Sequence, residues 1–474
     1  MAGVMAERLS PDWWRDRLLE QHTHDRRVRD EMLRVYNGVH PHPTALTKRY
    51  AEQYLSLIRA SRTPWGRMIV DTTAERLEFQ GFRVGDGEPD GELWSLFKRA
   101  SVDQHQRNIY RDSLATGTTY VSVWPTSDGS GVSIMPESPL NVCHELEAGT
   151  TDTVAAAVKV WPDEVNQIWR CTLYLPDRVV EYQSKYIESD VVPWTAQWSE
   201  IRSMTNPFGQ VPIVPFLCRR DTAGYGRSEL IDLLPLFDRV ELITADMLVA
   251  SSFGAFRQRW ATGLEIPIDP TTGKEVEPFR AALDRLWISE DTETRFGSFD
   301  STDMTPYIRA KDAVVAEIAA ISRVPSSYFV QSELANPPSA QALEAAEANL
   351  ISKVRERQMG YGRAWEQVVS LVLLASGDRR ASESDIEVIW KDPRTRSESQ
   401  VLDAASKMKA IGFPFDSIAE FVGYSPSEIA RLRAQKVADA LVAGLQPTVM
   451  DPVPVQAQQP AQFDEPGDGD ASTT

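Results

Sequence analysis

The chain has 474 residues, 42% hydrophobic and 25% charged, with a formal net charge of −18. Single hydrophobic cores stop growing at roughly 250–300 residues, so several domains are expected. The acidic balance excludes a chain that grips nucleic acid tightly, which takes Lys/Arg clusters that displace counterions from phosphate, but it suits a surface that surrounds DNA without holding it.

Ser10-Pro11-Asp12 has the cap, the early proline and the early acid of a helix start, and Asn37-Gly38 supplies its stop. Leu18, Val28, Met32 and Val35 fall within that helix. A proline-marked turn through His40-Pro-His42 leads to helical stretches near 44–60 and 64–77, and one or two more helices run from Asp90 to about Ala115. From Gly117 the apolar period changes to two. Strands are expected at Thr119–Trp124, Val132–Met135, Val154–Trp161, Trp169–Leu175, Val179–Tyr182 and Ile213–Leu217, separated by Pro/Asp/Gly turns such as 127–131. Helices followed by short antiparallel strands make an α+β first half.

The second half reads differently. A helix is expected over about 228–253, with a kink or restart at Pro235, then strand and turn signals over 257–300 with a short helix near 277–286 and a strand near 294–299. A second helix starts at Thr305-Pro306 with Ile308, Val315, Ile318 and Ile321 at helical spacing, and Val324-Pro-Ser-Ser-Tyr328 ends it. After a polar loop, Ser339 caps a helix that reaches Ser376, with Leu343, Ala346, Leu350, Val354, Tyr361, Trp365, Val368 and Val372 in one stripe. At 1.5 Å per residue it is roughly 55 Å long. Residues 397–440 give two or three short helices broken at Gly412-Phe-Pro414 and Gly423-Tyr-Ser-Pro426, and beyond Gln446 a Pro/Gln/Asp-rich tail without Lys or Arg is expected to be disordered.

No motif carries chemistry. Gly273-Lys274 lacks the earlier glycine of a phosphate-cradling loop, and Gly224-Tyr-Gly226 reads as a tight turn. His22-Thr-His24 and His40-Pro-His42 have metal-pair spacing, yet two residues apart on a helix face different ways and no Cys/Asp/Glu constellation supports them, so they read as solvated or hydrogen-bonded histidines. Neither a cofactor nor a metal is expected. Cys143, Cys171 and Cys218 are odd in number and widely spaced, the pattern of buried reduced thiols. No run of eighteen apolar residues suggests a membrane span, and Met1 to Ser10 lacks the apolar stretch of a secretory signal. The acids Asp232, Asp238, Glu241 and Asp246 on the first helix of the second half read as a solvent-exposed face in a monomer. In a ring with this helix near its axis, they would stack into belts of negative charge that repel duplex DNA from all sides.

The order of elements resembles the portal proteins of tailed phages, in particular the Gp6-like siphophage portal family. Matching stretches are Tyr36-Asn-Gly, Ile69-Val-Asp-Thr-Thr-Ala-Glu-Arg-Leu77, Ala115-Thr-Gly-Thr-Thr-Tyr-Val-Ser-Val123, Pro207 through Phe216, Gly226-Arg-Ser-Glu-Leu-Ile, Pro337 through Ala342 and Trp390-Lys-Asp-Pro393. The resemblance implies a ring of typically twelve subunits at one capsid vertex, through which double-stranded DNA is packaged and ejected. It implies a wing over 1–225, stem helices at 226–256 and 303–324, a clip at 257–302, a tunnel loop at 325–339, a long wing helix at 340–384, a helical crown at 385–445 and the tail at 446–474. Gln331, Ser332, Glu333 and Asn336 would lie on the tunnel loop, the four acids would line the stem, and Asp269, Thr272, Lys274 and Glu275 on the clip would meet the motor. Implied partners are other copies of the chain, the terminase large subunit, the head–tail connector, and the major capsid and scaffolding proteins. Glu333 with no Lys or Arg beside it makes the loop a sliding contact rather than a phosphate clamp.

Two other classes compete. A head-completion or minor capsid protein would not form a ring with a central hole. A nuclease or packaging NTPase would show metal-dependent cleavage or ATP turnover, for which the sequence supplies no site.

Overall fold

The structure, a computed structural model, describes residues 7–42, 59–85, 89–126, 131–185, 197–255, 259–263, 294–298, 303–329, 340–382, 385–394 and 398–445. Helix α1 (Pro11–Asn37) begins where the sequence places it. Ser10 Oγ accepts the Trp13 N–H at 3.2 Å, and Gly38 closes the helix in the left-handed region at φ 68°. Helices α2 (Trp65–Ala74), α3 (Gly91–Arg99) and α4 (Val102–Thr116) follow, with strand β1 (Phe79–Val84) between the first two. Most of the stretch expected to be helical near 44–60 lies outside the described residues.

Eight strands come next: β2 (Thr118–Pro125), β3 (Val132–Glu137), β4 (Val142–Leu146), β5 (Val154–Asp163), β6 (Ile168–Tyr174), β7 (Arg178–Lys185), β8 (Ser199–Thr205) and β9 (Ile213–Leu217). They form an antiparallel three-stranded sheet in the order β3-β2-β9 and an antiparallel five-stranded sheet in the order β4-β5-β6-β7-β8. The alternation of apolar residues anticipates six of these strands. Leu18 and Leu19 of α1 are buried against Cys143, Val158, Trp169 and Leu173 of the larger sheet. Arg29 of the same helix is also buried, donating to the carbonyls of Pro139 and Val142 at 2.9 and 2.8 Å. All three cysteines are buried and free.

The second half opens with a single 3₁₀ turn (Ile231–Leu233) and helix α5 (Leu234–Ala255). The expected helix over 228–253 is thus shorter at its start. Pro235, in the first turn, has no intrahelical N–H to lose there, which is the restart the sequence suggests. A hairpin of β10 (Arg259–Thr262) and β11 (Arg295–Ser298) frames the segment between the paired helices, and the helix expected near 277–286 lies outside the described residues. Helix α6 (Thr305–Ser322) returns to the body and ends at a 3₁₀ turn (Ser326–Tyr328). Helix α7 (Ala340–Ala375) has 36 residues. Its buried stripe is Leu350, Val354, Tyr361, Trp365, Val368 and Val372, whereas Ala346 is exposed. Strand β12 (Ile386–Trp390) precedes α8 (Glu398–Ala410), α9 (Phe415–Val422) and α10 (Pro426–Leu445).

Helix α7 joins the two halves. Trp365 packs on Phe79 at 4.7 Å and Phe216 at 4.8 Å between ring centroids, and its indole N–H donates to Tyr110 Oη at 2.8 Å. Tyr361 donates to Ser113 Oγ at 3.0 Å, which donates in turn to the Phe216 carbonyl at 2.7 Å. Buried hydroxyls are thereby satisfied inside an aromatic core. Strand β12 pairs antiparallel with β1, so the segment that the resemblance assigns to the crown contributes a strand to the N-terminal core.

Candidate channel-facing site

The two helices that leave the body are anchored at one joint. Gly226 passes so close to the Gly117 carbonyl that a Cβ there would meet the oxygen at 2.0 Å. Ser228 Oγ donates to the Ala115 carbonyl at 2.5 Å, and the Glu229 N–H donates to the Leu114 carbonyl at 3.0 Å. This short segment is therefore stitched to the end of α4. The Glu229 carboxylate then sits between Lys353 (3.2 Å) and Arg357 (2.7 Å) of α7, all three buried. Lys353 Nζ also donates to the Ser322 carbonyl at 3.1 Å, in the last turn of α6. One buried ionic cluster thus fixes the approach to α5, the end of α6 and the middle of α7. Burial alone would raise the Glu229 pKa, but the two cations beside it more than offset that and hold it below the usual carboxylate range. This joint escapes sequence reading because its charges come from positions 229, 353 and 357. The one available signal is that Lys353 and Arg357 flank the apolar stripe of α7.

From that joint the pair α5 and α6 projects. Leu236, Phe237, Val240 and Ala245 are buried, but no residue from Asp246 to Ser252 is. The same holds in reverse for α6, where Thr305–Ala313 are exposed or half-buried and Val314, Val315 and Ile318 are buried. The two helices pack on each other, and Arg239 pairs across them with Glu317 at 2.9 Å. Ile308 and Ile321, expected in the apolar set of α6, are instead about half exposed at 49% and 56%.

The four acids read from the sequence separate into different environments. Asp232 is on the 3₁₀ turn before α5 and is paired with Arg219 at 2.7 Å and with Arg227. Asp238 is exposed on α5 and Asp246 is half-buried. Glu241 departs from the exposed face expected of it: its side chain is only 4% exposed. Its Oε1 lies 2.6 Å from His42 Nδ1 and 3.3 Å from Arg62 Nε, and its Oε2 lies 3.5 Å from His40 Nε2. His40 and His42 follow the end of α1 and are not on a helix, so the helical-face argument against them does not apply, and acids reach them from 238 and 241. Burial pushes Glu241 up, but the two imidazoles beside it leave it below its ordinary value. Charge on the helix pair is also mixed, since α6 carries Arg309 and Lys311 beside Asp312 and Glu317.

The loop after α6 is pinned at its start. Phe329 packs on Trp65 at 5.7 Å, and the Tyr328 hydroxyl donates to Glu347 at 3.0 Å while Arg76 reaches both groups at 2.9 Å. Gln331, Ser332, Glu333 and Asn336 lie outside the described residues, as do Asp269, Thr272, Lys274 and Glu275 and the tail beyond 445. No described helix is long and apolar enough to cross a membrane.

A mixed helix–sheet body, a projecting helix pair bracketing a small module, and a long helix tied to the joint define a structural subunit of the portal class. The chain belongs to the phage portal protein family of the SPP1 Gp6-like type, whose sequence model matches residues 15–416. It is 28% identical over 440 residues to the portal protein of Mycobacterium phage D29, covering 88% of this chain and 87% of that one. The portal protein of Mycobacterium phage L5 is likewise 28% identical over 432 residues, covering 85% and 86%. A solved chain described as the neck of an empty GTA particle aligns with a TM-score of 0.46 and 12% identity over 79% of this chain and 94% of its own.

Proposed function

We propose that copies of this chain close into a ring, typically of twelve, at one capsid vertex, and that genomic double-stranded DNA enters and leaves through its centre. Family membership across residues 15–416 carries this reading. In it, 1–225 and 340–384 form the wing, α5 and α6 the stem, 257–302 the clip, 325–339 the tunnel loop and 385–445 the crown. The clip meets the terminase large subunit and later the head–tail connector, while capsid and scaffolding proteins surround the wing. Two features of the subunit support the arrangement. The stem pair loses its burial toward the clip, as helices would that line a passage with neighbours on either side. Ile308 and Ile321 also leave apolar surface on α6 that a neighbouring subunit would cover. The ring supplies a conduit, and the energy for translocation comes from the motor docked on it.

The test is electron microscopy of the purified full chain, with subunits counted in class averages. Rings with an axial hole of roughly 20 Å or more, the width of a duplex, are expected. Compact closed particles without a hole, also in the presence of capsid and scaffolding proteins, would overturn the reading.

A further inference from the structure

The cluster at the base of the first stem helix has the composition of a cation site rather than of a plain ion pair. Asp238 and Glu241 are three apart on α5, so both carboxylates fall on the same side of the helix. His40 reaches them from the segment after α1. One ligand atom from each of His40, Asp238 and Glu241 lies within 4.8 Å of the others. The His40 Nε2 to Glu241 Oε2 separation is 3.5 Å. That is long for a charge-assisted hydrogen bond, but two donors each about 2.1 Å from a tetrahedral ion lie about 3.4 Å apart.

Two further observations point to a ligand. Glu241, almost fully buried, has its Oε2 without a hydrogen-bond partner among the described residues, and so does His40 Nδ1. The other carboxylate oxygen, Oε1, is held by His42 and Arg62, as outer-shell partners orient a coordinating carboxylate. The adjoining cavity, bounded by His40, Arg62, Phe237 and Glu241, is about 10 Å³, so it excludes an organic ligand and admits at most a single water-sized occupant.

We propose that His40, Asp238 and Glu241 bind one divalent transition-metal ion per subunit, of the zinc class, with water completing its coordination. An imidazole nitrogen beside two carboxylates selects such an ion over magnesium or calcium, which take oxygen ligands. The ion clamps the first turns of the stem helix to the segment that ends α1, so the root of the stem is fixed to the wing at a second point besides the Glu229 joint. Asp238 is the one exposed ligand and swings in by rotation about its own side-chain bonds.

The experiment is calorimetric titration of the EDTA-stripped, dialysed full chain with zinc chloride at pH 7.5, paired with thermal melts and with metal analysis of the dialysed product. About one zinc per subunit is expected, with a rise in melting temperature on saturation and no displacement by millimolar magnesium. Asp238→Asn, at an exposed position, should melt like the parent without metal, yet bind at least about tenfold more weakly and lose the zinc-induced rise. His40→Gln should do the same, whereas His24→Gln, at an exposed histidine within α1, should bind like the parent. Absence of stoichiometric zinc in the parent chain, or equal binding by Asp238→Asn, would show that the cluster is an ion-paired strut only. Ring formation does not enter the readout, so this outcome is separable from that of the portal reading.

Discussion

Glu229 illustrates how a single side chain can hold three helices in register. Its carboxylate sits between two buried cations, and removing the acid leaves uncompensated charge in a low-dielectric interior. Glu229→Gln is expected to cost about 3–5 kcal/mol, measured as a lowered urea midpoint at constant m-value. Protonation does the same by another route. The folded pKa of Glu229 lies below its unfolded value, so its contribution is present above the unfolded pKa and is lost as pH falls through the folded one. Two histidines act earlier in the same direction. Burial first, and nearby arginines second, lower His22 to about 4 and His144 to about 3. Between about pH 6.5 and 4 the unfolded chain therefore binds more protons than the folded one, and stability falls as pH falls. Denaturation midpoints measured from pH 7.5 to 4 should decline over that window, and His22→Asn should flatten the decline.

At the scale of elements, the pairing of β1 with β12 is the least obvious and the most exposed to test. Phe82 of β1 and Val388 of β12 are both buried, so the hairpin-like ladder completes the aromatic core around Trp365. A chain ending at Ser382 should lose its cooperative melt by circular dichroism, whereas one ending at Arg394 should keep it. The sequence could not announce this pair, since the two strands are short and their register depends on a partner in the other half of the chain. Helix α1 was legible for the opposite reason: Ser10, Pro11, Asn37 and Gly38 are local signals that act within one turn of the helix end. Strand β4 hid because Val142, Cys143 and His144 are all buried, which erases alternation. Strand β8 hid because, of its seven residues, only Met204 is even half-buried, and an edge strand needs little apolar surface. On α5, helical spacing placed Asp238, Glu241 and Asp246 within one helix and Asp232 just before it. It could not tell that Glu241 turns inward, since His40, His42 and Arg62 arrive from the far end of the N-terminal segment.

For the whole molecule, a net charge of −18 matters chiefly where symmetry repeats it. Of the four acids, Asp246 lies furthest along α5 from the joint and is half-buried within the subunit, and in the proposed ring it is the one to test for a place on the passage. Asp246→Lys in an otherwise native ring should place a belt of cations around the duplex and add phosphate contacts whose release costs affinity at every step. Packaging by the motor should slow measurably in an in vitro assay, and raising the salt should restore it in part. An unchanged rate at low salt would remove Asp246 from the passage. The β1–β12 ladder carries a consequence for biosynthesis as well. Val84 pairs with Ile386, so β1 leaves the ribosome and then waits for about 300 more residues, roughly 15–60 s at 5–20 residues per second. During that interval the aromatic residues of the N-terminal half lack their cover, and the nascent chain is a client for holding chaperones until its last third emerges.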